Sequence, residues 1–337
     1  MASPRVSILM PVHNGERYLR EAIDSMLLQT FRDFEFLIID DGSSDRSVEI
    51  IESYRDPRIV LKRFPTNRGT VHALNAGLLA AAGEYIVRMD CDDISLPQRL
   101  ETQVRFMDSH PDTGVSGTAM RLIKKGKLKN TRIQPESDEE LKIALLFNTC
   151  FFHPTVIMRT GLVKEHPYPA DLVYTQDYNY WTSLAPKTRF ANLTDTLLYF
   201  REHDGQISSK KANLQITNAR RIREAYLLRF TGKITSQELD THQRIADNRR
   251  DIDLVNAKAW LERLVKINSE TQQFSPEGFK IAMGRKWWYC CRKNAQQGKK
   301  TLQIYHSSVL QKYYKPAASK FMKFTLKCLV SINSATS

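Results

Sequence analysis

The chain has 337 residues, 42% of them hydrophobic, which is enough for one large domain with an appendage or for two domains and argues against overall disorder. No run of about 18 apolar residues occurs, and the first apolar run is too short for a signal peptide, so we expect a cytoplasmic protein without a membrane-spanning helix. The net charge of +13 is concentrated from residue 278 onward, where twelve Lys or Arg and no Asp or Glu occur, so it characterises the C-terminal region alone.

Hydrophobic periodicity predicts strands and helices in strict alternation through the first 109 residues. Strands are predicted at 6–12, 34–45, 58–64 and 84–89, the second of them ending in acidic and turn residues. Helices are predicted at 16–29, 46–54, 70–82 and 97–109. This alternation predicts an α/β fold with a mostly parallel, doubly wound sheet. The carboxyl ends of such strands meet at one edge of the sheet, where ligands bind.

The pattern changes after residue 109. The sequence predicts a hairpin at 120–133, a helix at 137–146, a strand at 155–159 and a short helix at 176–185. The last third is predicted to be helical throughout, with helices at 213–230, 237–251, 254–267 and 279–297. The five cysteines have no CxxC spacing, which argues against a zinc site and against a disulfide framework.

Three carboxylates, those of Asp90, Asp92 and Asp93, directly follow the fourth predicted strand. Like charges this close repel each other unless a cation, a helix N-terminus or solvent compensates them. Asp90 and Asp92 stand at alternate positions and can share Mg²⁺ or Mn²⁺, since these cations prefer oxygen ligands. The alternative is an Asp-rich loop in which Asp93 caps the following helix.

A second acidic loop, residues 40–45, ends the second predicted strand. A carboxylate at a strand end, such as that of Asp41, can accept hydrogen bonds from a ribose or a base. A GxGxxG motif is absent from the sequence, which disfavours a nicotinamide or flavin cofactor. Ser43, Ser44 or Asp45 can also cap the next helix, and this role is compatible with a ligand contact by Asp41.

Several motifs in order resemble the inverting family 2 glycosyltransferases of GT-A fold. The opening of that family is similar to VSILMPVHNGERYLREAIDSMLLQTFRDFEFLIIDDGSSD, and its middle to NRGTVHALNAGLLAAAGEYIVRMDCDDISLPQRLETQ. The acceptor-half motifs of its bacterial surface-polysaccharide members resemble FNTCFFHPTVIMR, TQDYNYW and LLYFREHDGQIS. The resemblance covers residues 6–209. It implies a Rossmann-like GT-A catalytic domain at 1–210, with a nucleotide-sugar half at 1–95 and an acceptor half at 96–210. A helical, basic region follows at 211–337.

The resemblance implies a UDP-sugar donor and a divalent cation, Mn²⁺ or Mg²⁺. The residues it places on the nucleotide-sugar are Pro11, Val12, His13, Asp41, Arg68 and Asp90, and those it places near the metal are Asp92, Asp90 and His203. Asp41 would contact uracil or ribose, and Asp92 would be the principal metal ligand. The cation would neutralise the diphosphate leaving group and supply the charge that the acidic loop requires.

The resemblance also implies a catalytic base, Asp177, which would accept the proton of the acceptor hydroxyl. The family has Glu-Asp at this point and this chain has Gln176-Asp177, so a neighbouring like charge is missing and we expect a somewhat lower pKa for Asp177. The missing Glu puts an acceptor contact in doubt. The alternative for Asp177 is the cap of a short helix.

Four residues are predicted to contact the acceptor or the diphosphate: Gln176, Trp181, Arg201 and His153. Arg201 is the favoured partner for phosphate charge. For His153 the alternatives are a pocket wall and a strand-entry residue. For Trp181 they are a stacking face for a sugar and a place in the core.

The C-terminal region interleaves Lys and Arg with aromatic residues between residues 280 and 327. This composition suits an anionic membrane surface, and KFMKFTLKCLVSI can lie flat with its apolar side in lipid. The alternative is a solvated helical bundle whose aromatics form its core. Nucleic-acid binding is disfavoured because no binding signature accompanies the charge.

The sequence therefore predicts a metal-dependent, inverting hexosyltransferase. It would move a hexose or N-acetylhexosamine from a UDP-sugar to a lipid-linked saccharide acceptor. The reaction would belong to bacterial surface polysaccharide or lipopolysaccharide biosynthesis. Its place would be peripheral, on the cytosolic face of the inner membrane. The competing hypothesis is a non-catalytic GT-A-like scaffold with a basic tail that binds membrane or nucleic acid. A nucleotidyltransferase is disfavoured because no Gly-rich, Lys-containing phosphate loop follows the first strand.

Overall fold

The computed structural model describes residues 3–171, 174–203 and 212–330. The chain divides into two compact units. The α/β unit comprises Met1–Leu141 with Thr149–Ala219, and the helical unit comprises Lys142–Asn148 with Arg220–Ser337. In the described ranges, no helix combines the length and the apolar character that crossing a membrane requires.

Strands and helices alternate up to residue 88, close to the predicted bounds, and a short strand that the sequence did not predict, Ile94–Ser95, precedes the fourth helix. The strands are β1 (Val6–Val12), β2 (Phe34–Asp41), β3 (Ile59–Phe64), β4 (Tyr85–Arg88), β5 (Ile94–Ser95), β6 (Thr113–Lys124), β7 (Lys127–Arg132), β8 (Ile157–Arg159) and β9 (Arg189–Glu202). The helices up to residue 184 are α1 (Leu19–Leu27), α2 (Ser47–Glu52), α3 (Thr70–Ala80), α4 (Arg99–Ser109), α5 (Asp138–Leu145), α6 (Thr160–Glu165) and α7 (Gln176–Leu184). The later helices are α8 (Ala212–Thr231), α9 (Ser236–Ala246), α10 (Leu254–Thr271), α11 (Pro276–Lys293), α12 (Lys299–Ser307), α13 (Leu310–Tyr313) and α14 (Ala318–Val330).

A single nine-stranded sheet carries the α/β unit, in the order β3-β2-β1-β4-β8-β6-β9-β5, with β7 paired to β6. The first four strands are parallel, as the alternation of helices and strands predicts. β8 then pairs antiparallel with both β4 and β6, while β6 and β9 run parallel over most of their length. The ends of β1, β2 and β4 therefore lie side by side, and β9 is brought to the same sheet.

Strand β1 is buried on both faces, which is why it reads as a nearly continuous apolar run. Alternate residues from Val6 to Val12 join a core with the apolar sides of α1 and α4. On the opposite face, Leu9 lies directly against Gly77 of α3. The layers on both sides of the sheet thus fix where the polar strand ends emerge.

Gly83, just before β4, lies so close to the backbone of β1 that a side chain has no room. Helix α3 ends at Ala80, so Gly83 does not close the helix but lies against β1. A Cβ at this position would approach Ser7 N to 2.6 Å and Val6 C to 2.7 Å, and both are backbone atoms. The Gly83 amide also donates to Ser7 Oγ at 2.8 Å.

We predict that Gly83→Ala lowers the free energy of unfolding by about 1–3 kcal/mol, because the backbone of β1 has to move away from the new methyl group. Chemical denaturation measures this. Gly161→Ala in α6 is the matched control, since a Cβ there meets no atom within 4 Å among the described residues. Equal stability of the two variants would contradict the assignment.

The aromatic residues of the basic C-terminal region lie largely in a core. Trp287, Trp288, Tyr305 and Phe324 are at most 3% exposed and pack with residues of α8 to α10. Tyr289 is the contrast, at 46% exposed. Most of these rings therefore take the alternative role that the sequence left open, as the core of a helical bundle.

Residues 142–148 belong to the helical unit through buried hydrogen bonds. Arg223 Nε donates to the Phe147 carbonyl at 2.8 Å, and His242 Nε2 donates to the Leu146 carbonyl at 2.7 Å. His242 Nδ1 accepts from Trp260 Nε1 at 3.0 Å, so the ring is neutral. Burial lowers the pKa of His242 to about 3. The sequence-based boundary at residue 211 would keep this segment with the first 210 residues, whereas the structure groups it with the helical unit.

Candidate active site

Asp41 ends β2 and holds the start of α3. Its carboxylate oxygens accept the backbone amides of Arg68 and Gly69 at 2.9 and 2.8 Å. The side chain is only 3% exposed. His13 Nδ1 donates to the Asp41 backbone carbonyl at 3.0 Å. The structure thus joins three loops that the sequence predicts at one edge, and it gives Asp41 a loop-holding role that the sequence did not indicate.

The loop after β1 is tied to the loop after β2. Asn14 has a φ of 53°, and its Oδ1 accepts the Ser44 amide at 2.8 Å. Asp45 accepts the amide of Ser47, the first residue of α2, at 3.0 Å, but the N-cap position is Arg46, so none of the three predicted candidates is the N-cap residue. Burial acts to raise the pKa of Asp45, but its hydrogen bonds outweigh burial and lower it.

The residues predicted to line a base pocket lie along this edge. Val12 is buried, Pro11 is half-buried and His13 is exposed. The Arg68 guanidinium is exposed and lies 3.2 Å from His72 Nε2, one turn into α3. A cation that is both exposed and held near a helix start is available to an anionic ligand.

The acidic loop after β4 gathers its carboxylates. Oxygen atoms of Asp90, Asp92 and Asp93 lie within 4.8 Å of one another. Asp90 and Asp92 are partly exposed, whereas Asp93 is buried. Such an all-oxygen donor set fits Mg²⁺ or Mn²⁺.

Arg88 compensates this negative charge. It was not among the residues predicted from the sequence. It is the last residue of β4, is 4% exposed and forms an ion pair with Asp90. Burial alone would lower the pKa of Arg88, but the Asp90 carboxylate overrides it and raises the pKa. The signal was available, because an arginine interrupts the apolar run YIVRM of a buried strand.

Asp93 does not cap a helix. The short strand β5 follows it, and α4 begins only at Arg99. One carboxylate oxygen accepts the Arg201 amide at 2.9 Å, and the other, in the described part of the chain, lacks a hydrogen-bond partner. Burial, together with the charges of Asp90 and Asp92, holds the pKa of Asp93 well above its usual range.

The end of β9 closes the cluster from the other side. Arg201 Nε donates to the Asp92 carbonyl at 2.9 Å, and its Nη2 to Glu21 at 2.9 Å. His203 Nε2 lies 2.9 Å from Asp92 Oδ2. Burial and Asp90 raise the pKa of Asp92, while His203 opposes them. Two residues more than 100 positions downstream thus reach the acidic loop.

Asp177 is the second residue of α7 and is partly exposed. Burial raises its pKa above the ordinary value, while the Tyr178 amide and the charge of Arg88 lower it and Asp90 raises it. The expected lowering from the neutral Gln176, which is half-buried at the first position of α7, is therefore outweighed by burial. The charges of Arg88 and Asp90 both act on Asp177, so Asp177 lies near the acidic loop.

Two residues predicted to contact the acceptor lie in the core instead. Trp181 is 0% exposed and packs edge-on against Phe151, so its ring presents no face to a sugar. His153 is 8% exposed, and its Nε2 lies 2.8 Å from Tyr168 Oη. Burial and the Arg88 charge hold the pKa of His153 well below its usual range, so the buried ring is neutral.

Comparison with known proteins decides the family. The model of glycosyl transferase family 2 matches residues 7–165. An uncharacterized glycosyltransferase of Haemophilus influenzae is 30% identical over 244 residues, which cover 68% of this chain and 76% of that protein. The chain belongs to glycosyl transferase family 2.

One further relative agrees with this assignment, and one solved structure shares the fold. The O-antigen biosynthesis glycosyltransferase WbnJ of Escherichia coli is 31% identical over 213 residues, which cover 59% of this family 2 glycosyltransferase and 80% of WbnJ. The crystal structure of S. aureus TarS 1–349 in complex with UDP-GlcNAc superimposes with a TM-score of 0.58 and 20% identity, covering 90% of this chain and 92% of that one. The likeness to TarS shows the fold, and the predicted GT-A class is confirmed.

We predict that Arg88→Met lowers the free energy of unfolding by about 3 kcal/mol, because it leaves the acidic cluster without its buried cation. Urea denaturation in the presence of EDTA measures the change. Arg63→Met is the control, since Arg63 is 56% exposed in its pair with Glu52 and is expected to contribute less than about 1 kcal/mol. A loss no larger than that of Arg63→Met would show that the ion pair with Asp90 does not compensate the cluster.

Proposed function

We propose that this family 2 glycosyltransferase moves a hexose or N-acetylhexosamine from a UDP-sugar to a hydroxyl of a saccharide acceptor, with inversion at the anomeric carbon. The observation that supports the proposal is the proximity of Asp177 to the acidic loop, since the charges of Arg88 and Asp90 both act on it. A carboxylate that is near the acidic loop but outside it can serve as a base toward a substrate bound there.

The donor set fits a divalent cation. Asp90 and Asp92 offer partly exposed oxygens, and Asp93 adds a buried oxygen for which the described residues provide no partner. Asp92 would be the principal ligand of Mn²⁺ or Mg²⁺, with Asp90 and His203 beside it. When bound, such a cation supplies positive charge to a departing diphosphate.

Asp177 would act as the general base. Its carboxylate accepts the proton of the acceptor hydroxyl while that oxygen forms a bond to the anomeric carbon. The bond from that carbon to the diphosphate oxygen breaks, and UDP leaves with the electron pair. A single displacement of this kind inverts the configuration. The raised pKa makes Asp177 a stronger base than an exposed aspartate.

The donor and the pathway class are supported by relatives. TarS, which shares the fold, was crystallised with UDP-GlcNAc, and WbnJ is named for O-antigen biosynthesis. In this chain, Asp41 and the edge formed by Pro11, Val12 and His13 would take the uridine, and Arg68 would contact base or phosphate. Gln176 and Arg201 would lie nearest the acceptor or the diphosphate.

We predict that Asp177→Asn lowers the rate of transfer by a factor of about 10²–10⁴, because an amide cannot accept the hydroxyl proton. The affinity for UDP should stay nearly unchanged, since the uridine site lies at the ends of β1 and β2. UDP release from a panel of donors with Mn²⁺ measures the rate, and calorimetry measures the affinity. Asp195→Asn, at an exposed position of β9, is the control.

The same proposal fixes a pH dependence. Asp177 works only when ionised, and burial raises its pKa. Activity should therefore be lost on acidification at a higher pH than for an ordinary aspartate. An Asp177→Asn enzyme with a near-normal rate would remove the base from the mechanism. No UDP release and no nucleotide binding by the natural sequence, across a broad donor panel, would favour the scaffold hypothesis.

A membrane-facing surface is proposed for α14. Its inner side buries Phe324 and Cys328, while its outer side exposes Met322 (59%), Leu326 (53%) and Val330 (68%). Lysines flank this outer stripe at positions 320, 323 and 327. An apolar stripe bordered by cations suits the headgroup region of an anionic membrane, where a lipid-linked acceptor would also lie.

We predict that the double substitution Met322→Gln and Leu326→Gln weakens flotation with anionic vesicles, because it removes apolar area without changing charge. Removing everything after Gln273 is a poorer test, since it deletes core residues such as Trp287. Val255→Gln, at a 64% exposed position of α10, is the control. Equal flotation of the double variant and the natural protein would exclude this surface.

A further inference from the structure

A basic hairpin extends from the edge of the sheet at which the acidic loop lies. It consists of the end of β6, a two-residue turn and β7, which among the described strands pairs with β6 alone. β6 runs parallel to β9, and their pairing ends at Lys124 and Glu202, one residue before His203. Because His203 contacts Asp92, the turn at residues 125–126 belongs to the same edge of the sheet as the acidic loop.

The hairpin carries positive charge that nearby carboxylates do not balance. Residues 121–132 contain no Asp or Glu, and their six cations are Arg121, Lys124, Lys125, Lys127, Lys129 and Arg132. All six residues are exposed. Within the described ranges, only Lys124 of these six forms a salt bridge, and its partner is Glu202. The hairpin is therefore a cationic surface next to the site.

The stability of the hairpin does not explain its lysines. Lys124 and Lys127 lie directly opposite each other on β6 and β7, where like charges destabilise the pairing of two strands. Lys125, the first turn residue, has a φ of 51°, a conformation that glycine, asparagine or aspartate adopts more readily. Lysines on an edge strand discourage pairing with another chain, but that role does not require a lysine at the turn.

We propose that this hairpin docks on an anionic membrane surface. Lysines next to such a surface are attracted by its negative potential. Two apolar side chains accompany them, Leu128 at 42% and Ile133 at 60% exposed, and both suit the headgroup region. A nucleic acid is the less suitable partner, because residues 121–133 contain no aromatic side chain on which a base could stack.

This surface is separate from that of α14, and only its purpose rests on the proposed function. A membrane held by the hairpin lies at the edge from which His203 reaches the acidic loop. A lipid-linked acceptor would therefore enter the site from the membrane surface. Vesicle binding is measured without turnover, so failure of the docking surface would leave the proposed glycosyl transfer untouched.

Co-sedimentation of the full chain with vesicles of phosphatidylcholine and phosphatidylglycerol tests the surface at low ionic strength. A lysine near an anionic leaflet strengthens binding about fivefold, so Lys127→Gln combined with Lys129→Gln should weaken it about 25-fold. The matched control combines Lys164→Gln with Lys187→Gln. It removes the same charge from two exposed positions of the α/β unit that follow β8 and precede β9, toward the opposite edge of the sheet. Helix α14 is unchanged in both variants.

Weaker vesicle binding by the hairpin variant than by the control variant would support the surface. Equal binding by the two variants, or no binding of the natural sequence to these vesicles, would overturn it. Titration with a short DNA duplex covers the other polyanion. A contrast between the two variants that is seen with DNA and not with vesicles would also overturn the membrane surface, in favour of a nucleic acid.

Discussion

The crowding of three carboxylates at the end of one buried strand is the constraint on which the rest of the α/β unit depends. Each of them would be costly to ionise there without a compensating charge. Arg88 meets part of this cost from within the same strand, and it is itself stable in the core only because Asp90 is beside it. Arg88 without Asp90 would leave an isolated buried charge, whereas the partly exposed Asp90 would keep some contact with solvent.

The same constraint explains why β9 is long. Its parallel pairing with β6 runs from the residue pair Thr113 and Arg189 to the pair Lys124 and Glu202. Only such a strand delivers Arg201 and the following His203 to the acidic loop from a distant part of the sequence. The Arg201 side chain is also stacked on Tyr18, with its guanidinium carbon 4.4 Å from the ring centroid. The acidic loop is thus held by Arg88 of β4 on one side and by Arg201 and His203 at the end of β9 on the other.

Local chemistry made much of this predictable. Strands such as β1 and β2 are apolar runs bounded by turn residues: the predicted bounds of β1 agree with the structure at both ends, and those of β2 agree at its start. The acidic loop was visible for the same reason, since three aspartates after a buried strand are conspicuous in any sequence. The family resemblance then pointed to Asp177, on which the charges of Arg88 and Asp90 act in the structure.

What the sequence could not give depends on distant partners. Whether Trp181 faces a sugar or the core is decided by Phe151 and Tyr180, which pack around it. From the sequence alone Asp93 could be a helix cap, whereas in the structure its carboxylate accepts a hydrogen bond from the Arg201 amide. The raised pKa of Asp177 comes from its surroundings and not from its neighbour in the chain.

Residues 142–148 also bear on how the polypeptide folds during synthesis. The segment leaves the ribosome more than 100 residues before Trp260, the partner of His242 in the network that holds it. At a synthesis rate of about 5–20 residues per second, its apolar side chains stay exposed for on the order of ten seconds before the residues that bury them are made. Nascent chains that contain this segment but not yet Trp260 therefore expose hydrophobic surface, which is the kind of surface that chaperones bind.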